Sequence, residues 1–132
     1  MFLDASAIVA MLADEEERLT FLSKLAAESD PLTSAVAAFE ATLAIARRKG
    51  FAVKEASAII EDFLTLSNVR LAPIGLEEQR MALDAHSRFG KGRGHPARLN
   101  MGDCFAYACA KTQGRPLLFK GDDFSQTDIE RA

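Results

Sequence analysis

Long apolar runs and a surplus of basic residues are both missing from this sequence. No window reaches the roughly 18 uninterrupted apolar residues of a membrane-spanning helix, so no membrane span is predicted. The apolar start, MFLDASAIVAML, has no basic residue ahead of it and is interrupted by Asp4, so we expect no signal peptide. Nineteen acids against sixteen bases give a net charge of −3. This balance excludes the whole-molecule basic field that draws many proteins onto nucleic acid.

Cysteine is scarce, with two residues in a chain of 132. Cys104 and Cys109 are five positions apart in a predicted helix, which turns their side chains about 140° away from each other. We therefore expect no disulfide between them and favour a reducing, cytoplasmic location. No paired-ligand motif accompanies them, so a zinc site with His95 is not expected either. A Walker-type phosphate loop, a GxSxG motif and a dinucleotide-binding fingerprint are also absent.

Apolar residues are plentiful, and their pattern predicts the fold class. At 48% hydrophobic composition the chain is rich enough in apolar residues for one domain with its own core. Short strands are predicted at MFL, within PLTS, at VRLAPI and at RPLLF, and helical patterns lie between them. The alternation favours an α/β sandwich around a mainly parallel sheet. No repeat or linker indicates a domain boundary.

Local signals predict several helix ends. The first helix is expected to begin near Ser6, and a serine cap precedes the alanine-rich helix AVAAFEATLAIARRKG, which ends in basic residues and a glycine. Asn100 is predicted to cap the helix of NMGDCFAYACAKTQG, with Gly114 beyond its end.

Acidic residues occur at four places where a parallel sheet forms its sites. Asp4 follows the first strand, and Asp122 and Asp123 follow the last, so they lie at the carboxyl ends where such sheets bind ligands. Asp103 is in the first turn of its helix. Glu40 lies on or beside the apolar stripe of the most apolar helix, where a lone ionised carboxylate costs several kcal/mol unless it is compensated.

Three of these four places also have an ordinary explanation. An acid in a first turn, such as Asp103, interacts favourably with the helix dipole. The acids of KGDDFSQTDIE suit a solvated turn after a strand, and Asp128 and Glu130 are expected to face solvent or to belong to the turn. Glu40 would be compensated by a salt bridge to Arg47 or Arg48.

A single metal site explains the four places together. Acids that would repel one another are neutralised by a hard cation, and oxygen-only ligands suit Mg²⁺ or Mn²⁺. Such a site can activate water for attack on a phosphodiester, which is nuclease chemistry. Ser6, two residues after Asp4, is expected either to cap its helix or to orient the Asp4 carboxylate by a hydrogen bond.

A glycine-rich basic loop, GKGRGHPARL, supplies the positive charge that an acidic site lacks. Its residues Lys91, Arg93 and Arg98 are predicted to contact a phosphate backbone, with Arg88 and His95 nearby. A solvated loop without a ligand is the alternative.

Four segments together resemble the PIN-domain ribonucleases, and in particular the VapC toxins of type II toxin–antitoxin pairs. They are MFLDASAIVAML, the isolated glutamate of the third helix, RLNMGDCFAYACAK and PLLFKGDDFSQTDI. The resemblance implies one three-layer α/β/α domain over residues 1–132, with a mainly parallel sheet of four or five strands. It also implies an endoribonuclease dependent on Mg²⁺ or Mn²⁺, a homodimer, and inhibition by a VapB-like antitoxin, through which alone operator DNA is bound.

The resemblance also assigns residues. It implies Asp4 and Asp103 as the main metal ligands, Glu40 as the third acid, and the acid after the last strand as the fourth. Asp122 and Asp123 are both candidates there, and Asp123 matches the family position better. Ser6 matches a small polar residue of the family.

Two other functions remain open from the sequence. One is a binding module whose acidic groove receives an arginine of the antitoxin and contributes to operator binding. The other is a phosphatase or receiver-like domain, which requires a lysine near the acids, and Lys120 is the candidate.

Overall fold

Four short strands form the centre of the computed structural model, which describes residues 1–132. They are β1 (Phe2–Leu3), β2 (Leu32–Ser34), β3 (Arg70–Ala72) and β4 (Leu117–Leu118). The strands are parallel and ordered β3-β2-β1-β4, with Phe2 opposite both Leu32 and Leu117. The strand order therefore reverses between β1 and β4, and this is where open α/β sheets bind their ligands.

The last residues of the chain cover the free edge of β4. Leu117 forms an isolated parallel bridge with Arg131. The backbone N–H of Leu117 donates to the Glu130 carbonyl at 2.8 Å, and that of Ala132 donates to the Leu117 carbonyl at 3.0 Å. A single bridge thus occupies the position of a fifth strand, within the predicted range of four or five.

Helices connect and cover the strands. They are α1 (Ala5–Leu12), α2 (Arg18–Ala26), α3 (Ala35–Lys49), α4 (Val53–Leu66), α5 (Leu76–Phe89) and α6 (Met101–Thr112), with a 3₁₀ turn at Phe124–Gln126. Ser34 caps α3 by accepting from the Ala37 N–H at 3.1 Å, and Gly50 ends it with φ of 67°. None of the helices combines the length and apolarity needed to cross a membrane.

The sheet separates two apolar clusters, which confirms the three-layer α/β/α arrangement. Phe2 packs with residues of α5 and α6, among them Phe89 and Tyr107. Its neighbour Leu3 packs with residues of α1, α3 and α4, among them Ile8 and Ile45. Adjacent strand residues point to opposite faces, so two residues of β1 are enough to join both cores. Cys104 and Cys109 are buried and unbridged in α6, as predicted.

A polar network fixes the C-terminal segment to α5 and α6. The Tyr107 hydroxyl donates to Asp128 Oδ1 at 2.6 Å, and Arg88 and Lys111 pair with the same carboxylate at 3.2 and 3.6 Å. Asp128 is exposed, as expected for this turn, and three donors from two helices also meet its carboxylate. Arg88, counted with the basic loop, belongs to α5 and is occupied by this contact.

The buried Thr33 hydroxyl links the two central strands. It donates to the Leu3 carbonyl at 2.8 Å, directly before Asp4. We expect Thr33→Val to lower the free energy of unfolding by roughly 1–2 kcal/mol, because the buried carbonyl loses its side-chain donor. Urea unfolding measures this. The exposed Thr20 on α2 supplies the control Thr20→Val, and equal stability of the two variants would contradict the assignment.

Candidate functional site

Asp4 ends β1 and caps α1. Its Oδ2 accepts hydrogen bonds from the Ser6 backbone N–H at 2.9 Å and from the Ser6 hydroxyl at 2.5 Å. Ser6 Oγ in turn accepts from the Lys120 backbone N–H at 3.0 Å, just after β4. The helix therefore begins one residue before the predicted position. Asp4 is its cap, and Ser6 holds the Asp4 carboxylate against the end of β4.

The Asp4 carboxylate is buried without a positive partner. The residue is 4% exposed and forms no ion pair. Burial raises its pKa, and the hydrogen bonds from Ser6 oppose that rise. A second buried acid, Glu78, differs because it accepts from the Gly75 N–H at 2.8 Å, and this backbone bond lowers its pKa.

Glu40 reaches from α3 to the start of α6. A β-carbon placed on Gly102 would lie 2.1 Å from Glu40 Oε1, so the carboxylate occupies the space that the glycine leaves. The expected alternative, a salt bridge with Arg47 or Arg48, is not formed, because Arg48 pairs with Glu15 and Arg47 pairs with no acid. Burial raises the pKa of Glu40, and the charge of Asp4 raises it further.

Asp103 is part of the N-terminal cap of α6. Its Oδ2 accepts from the Asn100 N–H, and Asn100 Oδ1 accepts from the Asp103 N–H, both at 2.9 Å. The cap does not exclude a site role, because burial raises the pKa of Asp103 to about 7. The charges of Asp4, Glu40 and Asp123 add to that rise. Four acids from separate parts of the chain thus influence one another electrostatically.

The acids after β4 differ in their relation to the site. Asp123 immediately precedes the 3₁₀ turn, and its charge contributes to the raised pKa of Asp103. Both residues are exposed, but Asp122 is not among the charges that act on Asp103. This favours Asp123 as the fourth acid, and the assignment stays a prediction.

A groove of about 450 Å³ joins three of the acids with three cations. Its walls include Asp4, Glu40, Asp103, Arg47, Arg48 and Lys120. Arg47 and Arg48 were expected only as salt-bridge partners of Glu40, although Arg47 is seven residues, or about two helical turns, after Glu40. Residues at that spacing share a helix face. Lys120 is at the predicted place, but its ammonium pairs with Glu15 at 2.5 Å and Glu17 at 2.9 Å.

The basic loop lies outside the walls of this groove. Lys91, Arg93 and Arg98 are exposed, and none of them lines it. His95 has a structural role, since its ring packs edge-on against Phe89 at 5.1 Å and its Nδ1 accepts from the Ala97 N–H at 3.1 Å. RNA binding by the three cations stays a prediction.

The donor set fits a hard divalent cation in its chemistry. Asp4, Glu40 and Asp103 offer oxygen ligands, are partly or fully buried, and have no cationic side chain of the protein bound to them. No group of three or more Asp, Glu, His or Cys side chains lies close enough together to hold a metal ion in these conformations. Mg²⁺ commonly uses one or two carboxylates and completes its shell with water and substrate phosphate.

Comparison with known proteins adds sequence and fold relationships. The family model of the PIN domain matches residues 1–130. A VapC ribonuclease of Rhizobium meliloti is 40% identical over 97% of this chain and 98% of its own length. Ribonuclease VapC42 of Mycobacterium tuberculosis is 36% identical over 100% of this chain and 98% of its own length. The solved structure of VapC20, a Sarcin-Ricin loop cleaving toxin of M. tuberculosis, has a TM-score of 0.78 at 19% identity and covers 99% of this chain and 97% of that one. This last similarity shows the shared fold.

The contact between Glu40 and Gly102 gives a test that separates site geometry from stability. We expect Gly102→Ala to leave stability unchanged or raise it by up to about 1 kcal/mol, because alanine favours the helix and the flexible Glu40 side chain can move away. The displaced carboxylate should weaken Mn²⁺ binding about tenfold, measured by calorimetry.

Glu40→Gln supplies the matched control for this test. If Gly102→Ala acts through Glu40, adding it to Glu40→Gln changes Mn²⁺ affinity little further, because the two changes remove one interaction. Full additivity of the two effects would contradict this coupling.

The raised pKa of Asp103 predicts how stability depends on pH in the absence of metal. The folded state holds this proton more tightly than the unfolded state, so the stabilisation is complete below the usual carboxyl pKa of 3.8 and is lost as pH rises through about 7. Asp103→Asn removes this pH-dependent loss of stability, and its side-chain oxygen can still accept the hydrogen bond of the cap. We expect the variant to be more stable than the wild type at pH 8 by roughly 1–3 kcal/mol, after allowance for solvent screening.

Urea unfolding in EDTA at pH 4, 6 and 8 measures this difference. The stability advantage of Asp103→Asn over the wild type should grow between pH 4 and 7 and then level off. The exposed Asp62 on α4 provides the control Asp62→Asn, which should show no such trend. A wild type that is more stable than Asp103→Asn at pH 8 would reverse the predicted sign.

Proposed function

Since the chain belongs to the PIN-domain family and has VapC ribonucleases among its full-length relatives, we propose that it is the endoribonuclease toxin of a type II toxin–antitoxin pair. The observation that carries the proposal is the groove in which Asp4, Glu40 and Asp103 lie without ionic partners. Elsewhere in the chain, the acids near arginines or lysines are paired with them, as Asp30 is with Arg70 and Arg115 at 2.5 Å each. The groove acids are therefore available to a ligand.

The proposed cofactor is Mg²⁺ or Mn²⁺. Asp4 and Asp103 are its main ligands, with Asp123, or in its place Asp122, completing the acidic set. When bound, the cation would supply the positive charge that a phosphodiester and its attacking water require. Ser6 keeps the Asp4 carboxylate oriented through its two hydrogen bonds of 2.5 and 2.9 Å.

Glu40 is the residue that we propose to accept the proton of the attacking water. Its carboxylate lies beside Gly102, and burial and the Asp4 charge raise its pKa toward the range useful for a general base. The absence of a Glu40 salt bridge supports this role, because a paired carboxylate would be a weaker base.

Cations on the groove walls are placed to hold the RNA strand. Arg47 has no ionic partner, and Arg48 and Lys120 are held near the groove by Glu15. We expect them to contact phosphates on either side of the cleaved bond, while Lys91, Arg93 and Arg98 guide RNA from the outer loop. The proposed substrate places the activity in the cytoplasm.

Partners follow from the same proposal. A VapB-like antitoxin would cover the groove and contribute any binding to operator DNA. Leu43 lines both this groove and an apolar pocket between α3 and α4, where Phe39 and Val53 are exposed. Homodimerisation of the single domain is also proposed, with the exposed Leu19 of α2 and Leu66 of α4 as candidate contacts.

Cleavage assays with purified protein test the catalytic proposal. We expect Mg²⁺ or Mn²⁺ to support cutting of single-stranded RNA and EDTA to stop it. Asp4→Asn and Asp103→Asn should each lower the rate at least about 100-fold, because a charge that acts in the transition state is removed. Asp62→Asn should cut like the wild type, and circular dichroism verifies that each variant is folded.

The same variants distinguish a nuclease from a binding module. A nuclease slows bacterial growth when expressed without its antitoxin, and Asp4→Asn abolishes the effect. Cleavage that survives both substitutions would overturn the assigned site. Growth inhibition that survives without any cleavage would favour the binding module instead.

A further inference from the structure

A second pocket opens between α5 and α6, next to the acidic groove. Its volume is about 500 Å³. The floor consists of buried apolar residues, including Ala82 and Leu99. The pocket is separate from the carboxylates and has no part in the chemistry proposed above.

Large apolar side chains form the walls of this pocket and are open to solvent. Met101 is 71% exposed and Leu83 is 62% exposed, while Phe105 is partly buried against the core. A pocket with an apolar surface of this kind can hold a flat, hydrophobic group such as an unstacked base.

Polar groups without partners surround the same pocket. The side chains of Gln79, His86 and Lys91 line it, and none of them forms a hydrogen bond or ion pair within the protein. The His86 ring packs onto Gly90, where a β-carbon would lie 2.3 Å from Nδ1. The glycine thus permits the ring to stay at the pocket wall, where it can meet the edge of a ligand.

Asn100 connects this pocket to the acidic groove, because its side chain lines both. The same residue holds Asp103 through the two cap hydrogen bonds of 2.9 Å. Met101 follows it and is separated from Asp103 only by Gly102. Asp103 and the pocket residue Met101 are therefore only two positions apart at the start of α6. One bound ligand strand can contact both.

Charge indicates what kind of strand fits. The pocket carries Lys91 of the basic loop and no acidic residue, whereas the adjoining groove carries the carboxylates of Asp4, Glu40 and Asp103, to which we assign a cation. A polyanion with apolar bases fits this surface, because a base can bind the apolar walls while a phosphate meets the lysine. Single-stranded RNA offers both features, since its bases can leave the stack and bind apolar side chains while its phosphates meet the cation.

We propose that the pocket between α5 and α6 binds one RNA base next to the cleaved phosphodiester and thereby sets the sequence preference of cleavage. Met101 and Leu83 contact the faces of the base, and His86 reads its edge. The proposal rests on the ribonuclease function above and deepens it.

Cleavage of matched RNA oligonucleotides tests this role. The substrates differ only in the base at each position around the cut, and the proteins are the wild type, His86→Ala and Met101→Ala. Leu76→Ala removes a similarly exposed apolar side chain from the start of α5, outside the pocket, and is the control. Thermal melting by circular dichroism verifies that all four proteins are folded.

We expect the wild type to distinguish bases at one position beside the cut. Each pocket variant should reduce the ratio of best to worst base by about tenfold, with little change for the worst base. Leu76→Ala should keep the wild-type ratio. An abasic nucleotide at that position should slow the wild type and leave the pocket variants unaffected.

Two results would overturn the proposal. One is a wild-type base ratio in both pocket variants. The other is a Met101→Ala protein whose oligomeric state changes in light scattering while its base ratio does not, which would make the surface an interface between copies of the chain.

A binding measurement keeps the pocket testable if the wild type cuts no RNA and the ribonuclease proposal fails. Single-stranded RNA containing the fluorescent base 2-aminopurine is added to the wild type and the same variants. A fluorescence change that is lost in His86→Ala and Met101→Ala supports the base pocket. An identical change in all proteins rejects it.

Discussion

Burial of negative charge without a positive partner is the constraint on which this site depends. Asp4 is buried at the end of β1, and the protein surrounds it with hydrogen-bond donors but with no cation. A buried charge of this kind costs several kcal/mol, and folded proteins usually offset the cost with an ion pair. In this chain even the partly buried Asp30 and the exposed Asp128 each meet at least two basic side chains. No such pair compensates Asp4, Glu40 or Asp103, and the metal site that we propose accounts for this difference.

Topology explains how these acids come together despite their distance in sequence. The order β3-β2-β1-β4 places the ends of β1 and β4 side by side, and Ser6 joins them through Asp4 and the Lys120 backbone. The helices α3 and α6 then bring Glu40 to Gly102, where only a glycine leaves room for the carboxylate. Very short strands suffice, because β1 has one residue in each of the two apolar cores.

The sequence predicted the fold well because each element carried its own local signal. Apolar runs marked the strands, and Ser34, Gly50 and Asn100 marked helix ends that depend on neighbouring residues alone. The site was predicted less completely. The positions of Asp4 and Asp103 followed from strand and helix ends, whereas the partners of Arg48, Arg88 and Asp128 depend on contacts between distant segments that no local pattern contains. The basic loop was predicted to contact the substrate because its charges lie close together in sequence. The cations of the groove come instead from α3 and from the end of β4.

Asp103 shows why structural and functional explanations of one residue need not compete. Its carboxylate closes the cap of α6 with Asn100, and the cap fixes where that carboxylate lies relative to Asp4 and Glu40. A freely rotating acid would move away from its like-charged neighbours, so an acidic site needs a device that prevents this movement. The cap provides it at Asp103, the two bonds from Ser6 provide it at Asp4, and the α3–α6 contact over Gly102 provides it at Glu40. Local hydrogen bonds and packing thus hold together acids whose mutual repulsion is relieved by a proton, as the raised pKa of Asp103 indicates, or by the cation that we propose.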